Sequence, residues 1–169
     1  RRQRQMCIRD RKKHRQLTSL DNKMVKKDRG FFSKKEEKKI VKAIVKAEKK
    51  TSGEIRIHIE SLPSENHFAR AIEVFKQLGM EKTKNRNGVL FHISPADKNL
   101  TIIGDQGINE KTPEGLWDEI NETVLHYFRQ EKFTRGIIKG IKMTGKALKK
   151  HFPHQENDEN ELPNEISQN

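Results

Sequence analysis

The chain has one cysteine, Cys7, among 169 residues. That excludes an intramolecular disulfide and any zinc site built from cysteines. No run approaches the roughly 20 apolar residues of a membrane helix. No apolar core follows the basic start, so no secretory signal is expected. A Gly-Lys-Ser/Thr phosphate loop and a Gly-x-Ser-x-Gly nucleophile turn are both missing. Aromatic residues make up 6% and hydrophobic residues 31%, against 36% charged. This balance points to a soluble, cytoplasmic, single-domain protein with polar ends.

The net charge of +12 is unevenly spread. Residues 1–11, from Arg1 to Arg11, resemble one reading frame of a transposase sequencing adapter, which places the natural start at Met24. A basic arm that binds nucleic acid is the competing reading. Without residues 1–23, 27 basic and 22 acidic residues remain, a net charge of +5. The chain therefore divides into a disordered, partly artefactual extension (1–30), a folded body (31–152) and a tail (153–169). The tail holds Glu156, Asp158, Glu159, Glu161 and Glu165 and no Lys or Arg, and it reads as disordered and acidic.

Within the body, Ser33 and Glu36 have capping-box spacing, and Ile40, Val41, Ile44, Val45 and Ala47 follow at helical intervals. Glu54–Glu60 alternates, with Ile55, Ile57 and Ile59 on one face and Arg56 and His58 on the other. A second helix carries Phe68, Ala71, Ile72, Val74, Phe75 and Leu78. Residues 89–94 and 100–104 read as strands around a hairpin turn, and residues 105–111 as a glycine-bearing loop. Thr112 and Pro113 are expected to start a third helix, and Thr134 to cap a fourth. Gly136, Gly140 and Gly145 suit that last helix only if it packs closely on a neighbour. The expected fold is α/β: a three-layer sandwich with a small mixed sheet, β1 and β2 parallel and β3 antiparallel, flanked by about four helices.

This topology sends the start of the first strand, the start of the second and the end of the third to one sheet edge. Glu54, Asn87 and Asp105 then share a rim, with Glu110 and Asp118 in the following loop and helix. Carboxylates, an amide and loop carbonyls suit a hard cation, Ca²⁺ or Mg²⁺, bound weakly. Arg86, Gly104, Gly107 and Trp117 would line the same pocket. A polar strand end at Glu54 and a turn residue at Asp105 explain the same residues without an ion.

His58 and His92 could face each other across adjacent strands, yet no further zinc ligand stands at a recognisable interval, and half-buried, hydrogen-bonded histidines are the commoner case. Trp117, Tyr127 and Phe128 at helical spacing read as core rather than as a base-stacking platform.

Three runs then carry a family resemblance: Thr51–His58, Arg86–Asp97 and Ile102–Asn109, joined later by Phe128, Phe133-Thr134 and Gly136-Ile137. In this order they resemble the TPM domain, over roughly Phe31–Phe152, and the Asn160–Ile166 ending resembles that of a stand-alone, soluble bacterial subgroup. The resemblance implies an α/β sandwich, divalent-metal binding in the loop region that corresponds to Glu54, Asn87 and Asp105, and an adaptor or maintenance role. It also implies a weak phosphatase activity as an alternative, with the metal supplying a nucleophilic water and Arg86 or Arg56 assisting. A nucleic-acid module resting on the lysine-rich first helix is the third and least expected reading. The expected partner is a protein or a phosphorylated ligand, with no membrane, and the expected state is a monomer.

Overall fold

The computed structural model describes residues 30–169. Helix α1 spans Lys34–Glu48, and the Ser33–Glu36 capping box is present at its start. Ile40 and Ile44, one turn apart, form its buried stripe. Strand β1 (Ile55–Ile59), α2 (His67–Gln77) and a single 3-10 turn (Met80–Lys82) follow. The hairpin is β2 (Val89–Ser94) and β3 (Asn99–Gly104). Three helices come next, α3 (Gln106–Lys111), α4 (Leu116–Arg129) and α5 (Phe133–His151), and then a two-residue strand β4 (Ser167–Gln168).

The sheet order is β3-β2-β1-β4. β1 runs parallel to β2 and to β4, and β2 runs antiparallel to β3. Alternation splits the sheet into two faces. Ile55, Ile57, Ile59, Val89, Phe91 and Ile93 face α1, α4 and α5 in the main core. Leu90 and Ile103 face α2 in a smaller core with Ala71, Val74 and Phe75. The result is the expected three-layer α/β sandwich with a mixed sheet.

Helix α5 lies close on its neighbours through its glycines. A Cβ on Gly140 would sit 2.7 Å from Val124 and 2.9 Å from Phe91, and one on Gly145 would sit 2.8 Å from the Ala47 Cβ.

Several expectations need correction. Residues 106–111 form α3 instead of a loop, which gives five helices among the described residues where about four were expected. The Asp105 carboxylate accepts the Gln106 N–H and starts that helix. Thr112 then ends α3, and α4 begins four residues later, after Gly115 at φ 84°. The Thr-Pro pair marks a boundary between helices, since proline can follow one helix as readily as open the next. Thr134 lies inside α5 and donates to Glu36 Oε1 at 3.0 Å, tying the starts of α5 and α1 together.

The largest difference is at residues 153–169, which do not trail as a solvated acidic tail: residues 153–160 lie by Thr51 and the end of α1, and residues 161–169 run along β1. Each polar residue on the α2-facing side of this strand region has a partner there. Glu54 Oε1 accepts the Glu161 N–H at 2.9 Å. Arg56 Nη1 donates to the Pro163 carbonyl. His58 Nδ1 meets Ser167 Oγ at 3.0 Å, and Asn169 Nδ2 donates to Glu60 Oε1 at 2.7 Å. A segment poor in apolar residues looks unfit for burial only when the surface awaiting it is apolar; here that surface is polar.

Candidate functional site

The backbone brings the expected rim together. The Val89 N–H bonds to the Glu54 carbonyl at 2.8 Å and the Asp105 N–H to the Gly88 carbonyl at 2.9 Å, so Glu54, Gly88 and Asp105 lie side by side across three strands. Their side chains then diverge. Asp105, fully enclosed, accepts two bonds from Arg86: Nε at 2.7 Å and Nη2 at 2.8 Å. Asn87 Nδ2 donates to the Ser52 carbonyl at 3.1 Å. Glu110 is exposed and accepts from Gln106 Nε2, and Asp118 is exposed in the first turn of α4. Gly104 leaves room for Trp117 and Asn109, whose side chains bond through the indole Nε1 at 2.8 Å. Gly107 presses on the Asn85 and Arg86 carbonyls. Trp117, Gly104 and Gly107 therefore pack the rim.

Glu54 turns instead toward a cleft of about 280 Å³ between the end of α1 and residues 154–164. Glu48, Glu54, Asp158, Glu159, Asn160 and Asn164 line it. Burial pushes the Glu48 carboxyl up to about 8, against hydrogen bonds from Ile55 and Asn164 and with the Glu54 charge adding to the rise. Burial likewise raises Glu54, and the charge of Glu161 adds to it. Glu54 is only 4% exposed, and its Oε2 has no hydrogen-bond partner. The same holds for Oδ1 of the buried Asn87. Buried oxygens of this kind cost free energy unless something satisfies them.

A second cluster lies at the other end of β1. His58 and His92 are register partners on β1 and β2, and their rings stack 5.6 Å apart at 15°. Glu60 is two residues beyond His58 and so on the same face, and its Oε2 is 3.7 Å from His92 Nε2. Ligand-type atoms of His58, Glu60 and His92 all lie within 4.8 Å of one another. Burial lowers both histidines, His92 to about 4, with the His58 charge adding to that fall. Burial raises Glu60, but bonds from Arg70, Asn169 and Leu62 together outweigh it and the net shift is downward. Arg70 Nε bonds Glu60 Oε2 at 2.6 Å. The histidines are more deeply buried than the sequence suggests, and His92 lacks hydrogen-bond partners at both nitrogens. Glu60 was missing from the sequence-based candidates, although the spacing His58-Ile59-Glu60 puts both polar groups on one strand face.

The fold is a small α/β domain whose mixed sheet buries carboxylates and histidines on one face. The family model for the TPM domain matches residues 25–147, and the chain belongs to that family. It is similar to the BA42 protein of the psychrophilic bacterium Bizionia argentinensis, solved by NMR, with 43% identity, 85% of this chain and 99% of that one covered, and a TM-score of 0.79. Two more distant NMR structures share the fold. One is an N-terminal domain from P. gingivalis, at 19% identity, TM-score 0.61, and 75% and 83% coverage of the two chains. The other is the N-terminal domain of cg2496 from Corynebacterium glutamicum, at 14% identity, TM-score 0.54, and 69% and 74% coverage. Comparison with curated proteins gives no match. Among the described residues, no helix is long and apolar enough to cross a membrane.

Proposed function

We propose that this TPM domain binds a hard divalent cation, Ca²⁺ or Mg²⁺, weakly at Glu54, and that it serves as an adaptor in complex maintenance or protein quality control. One observation carries the cation reading. Glu54 Oε2 is a buried carboxylate oxygen without a hydrogen-bond partner, facing a cleft that Glu48, Asp158 and Glu159 also line. A cation there would offset the burial that raises both carboxyls, the Glu54 charge that adds to the rise at Glu48 and the Glu161 charge that adds to it at Glu54. Asn160 and Asn164 add amide oxygens, and an open cleft leaves room for bound water, as a weak oxygen-ligand site requires. Of the rim residues, Glu54 alone lines this cleft, while Asp105 is committed to Arg86. Arg86 and Arg56, the cations of the phosphatase alternative, are held by Asp105 and by the Pro163 carbonyl.

The test is a calcium titration followed by amide NMR, repeated with magnesium. Saturable shifts are expected at residues 52–54, 86–88 and 158–164, and Glu54→Gln should abolish them while the rest of the spectrum stays folded. Non-saturating shifts confined to the exposed acids Glu156 and Glu159 would mean counterion condensation and would end the reading.

A further inference from the structure

We propose that His58, Glu60 and His92 form a separate site for a borderline transition ion of the zinc type, with Arg70 holding its entrance. The site differs from the Glu54 cleft in chemistry and in position along β1. Two imidazoles and one carboxylate select ions such as Zn²⁺ or Co²⁺ over Ca²⁺, which prefers an all-oxygen shell. Three protein ligands also leave one tetrahedral position open.

The geometry is close to what such an ion needs. Zinc–ligand bonds of about 2.0–2.1 Å put neighbouring tetrahedral ligand atoms about 3.4 Å apart. The Glu60 Oε2–His92 Nε2 separation is already 3.7 Å. His58, Glu60 and His92 are 6%, 1% and 0% exposed, and His58 Nε2 and both His92 nitrogens have no hydrogen-bond partner. Buried ring nitrogens without a hydrogen-bond partner are costly unless a ligand satisfies them.

The surroundings also fix the ligating atom of His58. Ser167 Oγ donates to the Ile57 carbonyl at 3.3 Å, so it receives the proton on His58 Nδ1. That leaves the lone pair on Nε2, the nitrogen without a partner. Asn169 holds the other oxygen of Glu60, Oε1. Ser167 and Asn169 are positioning residues for two of the three ligands.

Arg70 Nε donates to Glu60 Oε2 at 2.6 Å. Its side chain is 26% exposed, and it also bonds the exposed Glu73 at 3.1 Å. The guanidinium can therefore swing outward to Glu73 and free Oε2. Arg70 is then a competitor for the metal, which a merely structural ion pair would not be.

The test is a Co²⁺ titration of the full chain near neutral pH, read by the visible d–d absorption of tetrahedral cobalt and reversed by Zn²⁺. One equivalent should give the band, and the ¹⁵N signals of the His58 and His92 rings should move with it. His92→Gln should abolish the band. Ser167→Ala should weaken Co²⁺ binding by about 10–100-fold, the usual effect of losing an outer-shell partner. Arg70→Gln should tighten it, an outcome that adventitious binding at exposed histidines would not give. Should His92→Gln fail to fold, the ring signals of the unaltered protein still decide. A band that survives His92→Gln, or that forms while both rings stay unshifted, overturns the proposal. So does an absence of any band at stoichiometric cobalt. Calcium shifts at Glu54 are a separate measurement, so either site can fail alone.

Discussion

Arg86→Met should cost more stability than Asp105→Asn, although each breaks the same ion pair. Asp105 is the enclosed member, at 0% side-chain exposure, and Arg86 is the half-exposed one, at 48%. Removing Arg86 strands a buried carboxylate with only the Gln106 N–H as partner. Breaking a fully buried pair costs about 3–5 kcal/mol; this pair opens to solvent on one side, so we expect about 2–3 kcal/mol. Asp105→Asn behaves differently. The amide oxygen can keep the Gln106 and Arg86 Nη2 bonds, which both fall on Oδ1. The amide nitrogen would face the Arg86 Nε donor, and the guanidinium can swing into water. The expected cost is about 1 kcal/mol. Urea unfolding followed by the fluorescence of the one tryptophan, buried Trp117, measures both. Equal costs, or the opposite order, would refute the assignment of Asp105 as the buried, dependent partner. The same Asp105→Asn protein should titrate calcium as the unaltered chain does, because the carboxylate points at Arg86 rather than into the Glu54 cleft.

Gly107→Ala should destabilise by at least about 3 kcal/mol, since its Cβ would fall 2.2 Å from the Asn85 carbonyl oxygen, which is backbone and cannot turn away. Gly115→Ala, at φ 84° with nothing within 4 Å, should cost only the left-handed strain of about 1–2 kcal/mol; the two measured by urea unfolding should differ accordingly. Metal-free protein should lose stability as pH rises toward 8. The folded-state pKa of Glu48, about 8, lies above its ordinary value, so the protonated carboxyl favours the fold fully below about pH 4.5 and ceases to do so once pH passes 8. The loss is at most about 5 kcal/mol for a rise from 4.5 to about 8, and Glu48→Gln should remove it from a pH series of melting curves. Deleting residues 161–169 should shift the NMR signals of Arg56, His58 and Glu60 and weaken calcium binding; unchanged signals would show that the segment does not dock along β1.

The parts of the fold legible in the sequence are those governed by apolar periodicity. Ile40 and Ile44 gave α1, the isoleucine alternation gave β1, and the hairpin turn at residues 95–98 gave an antiparallel β3. Residues 105–111 were harder, because six residues with glycine in second place carry a helix only through the Asp105 cap and the packing of Ile108. The segment 153–169 was illegible for a stronger reason. Ile166 and Leu162 pack against the edges of the two cores, but much of the segment is held by hydrogen bonds to a polar strand face, and composition does not record which polar surface is waiting for a segment. At the site, topology placed Glu54 and Asp105 at one edge, but strand order does not say where a side chain turns. Arg86, an exposed neighbour at φ 50°, captures Asp105 and takes it out of the set. Glu60, a carboxylate at a strand end, reads as solvated from sequence; Arg70 and Asn169 bond it in the fold.

The buried polar row on β1 and the segment that covers it form one energetic unit. Glu54, Arg56, His58 and Glu60 would be hydrated if residues 161–169 were absent; once covered, each has a hydrogen bond in place of water and a perturbed proton affinity. Docking therefore brings the Glu161 charge to Glu54 and covers His58 in the same step. Both consequences disfavour docking, and a cation at either place opposes them. An ion that binds only the covered state must stabilise it by RT ln(1 + [L]/Kd), about 2.7 kcal/mol at a hundredfold excess over Kd. Linkage is reciprocal, so whatever holds residues 161–169 against β1 must tighten ion binding by the same factor. If the two proposed sites are occupied, the domain would couple the seating of a polar strap to ion binding at both of them. A protein partner that competes for the β1 edge would then be sensed as a change in metal affinity.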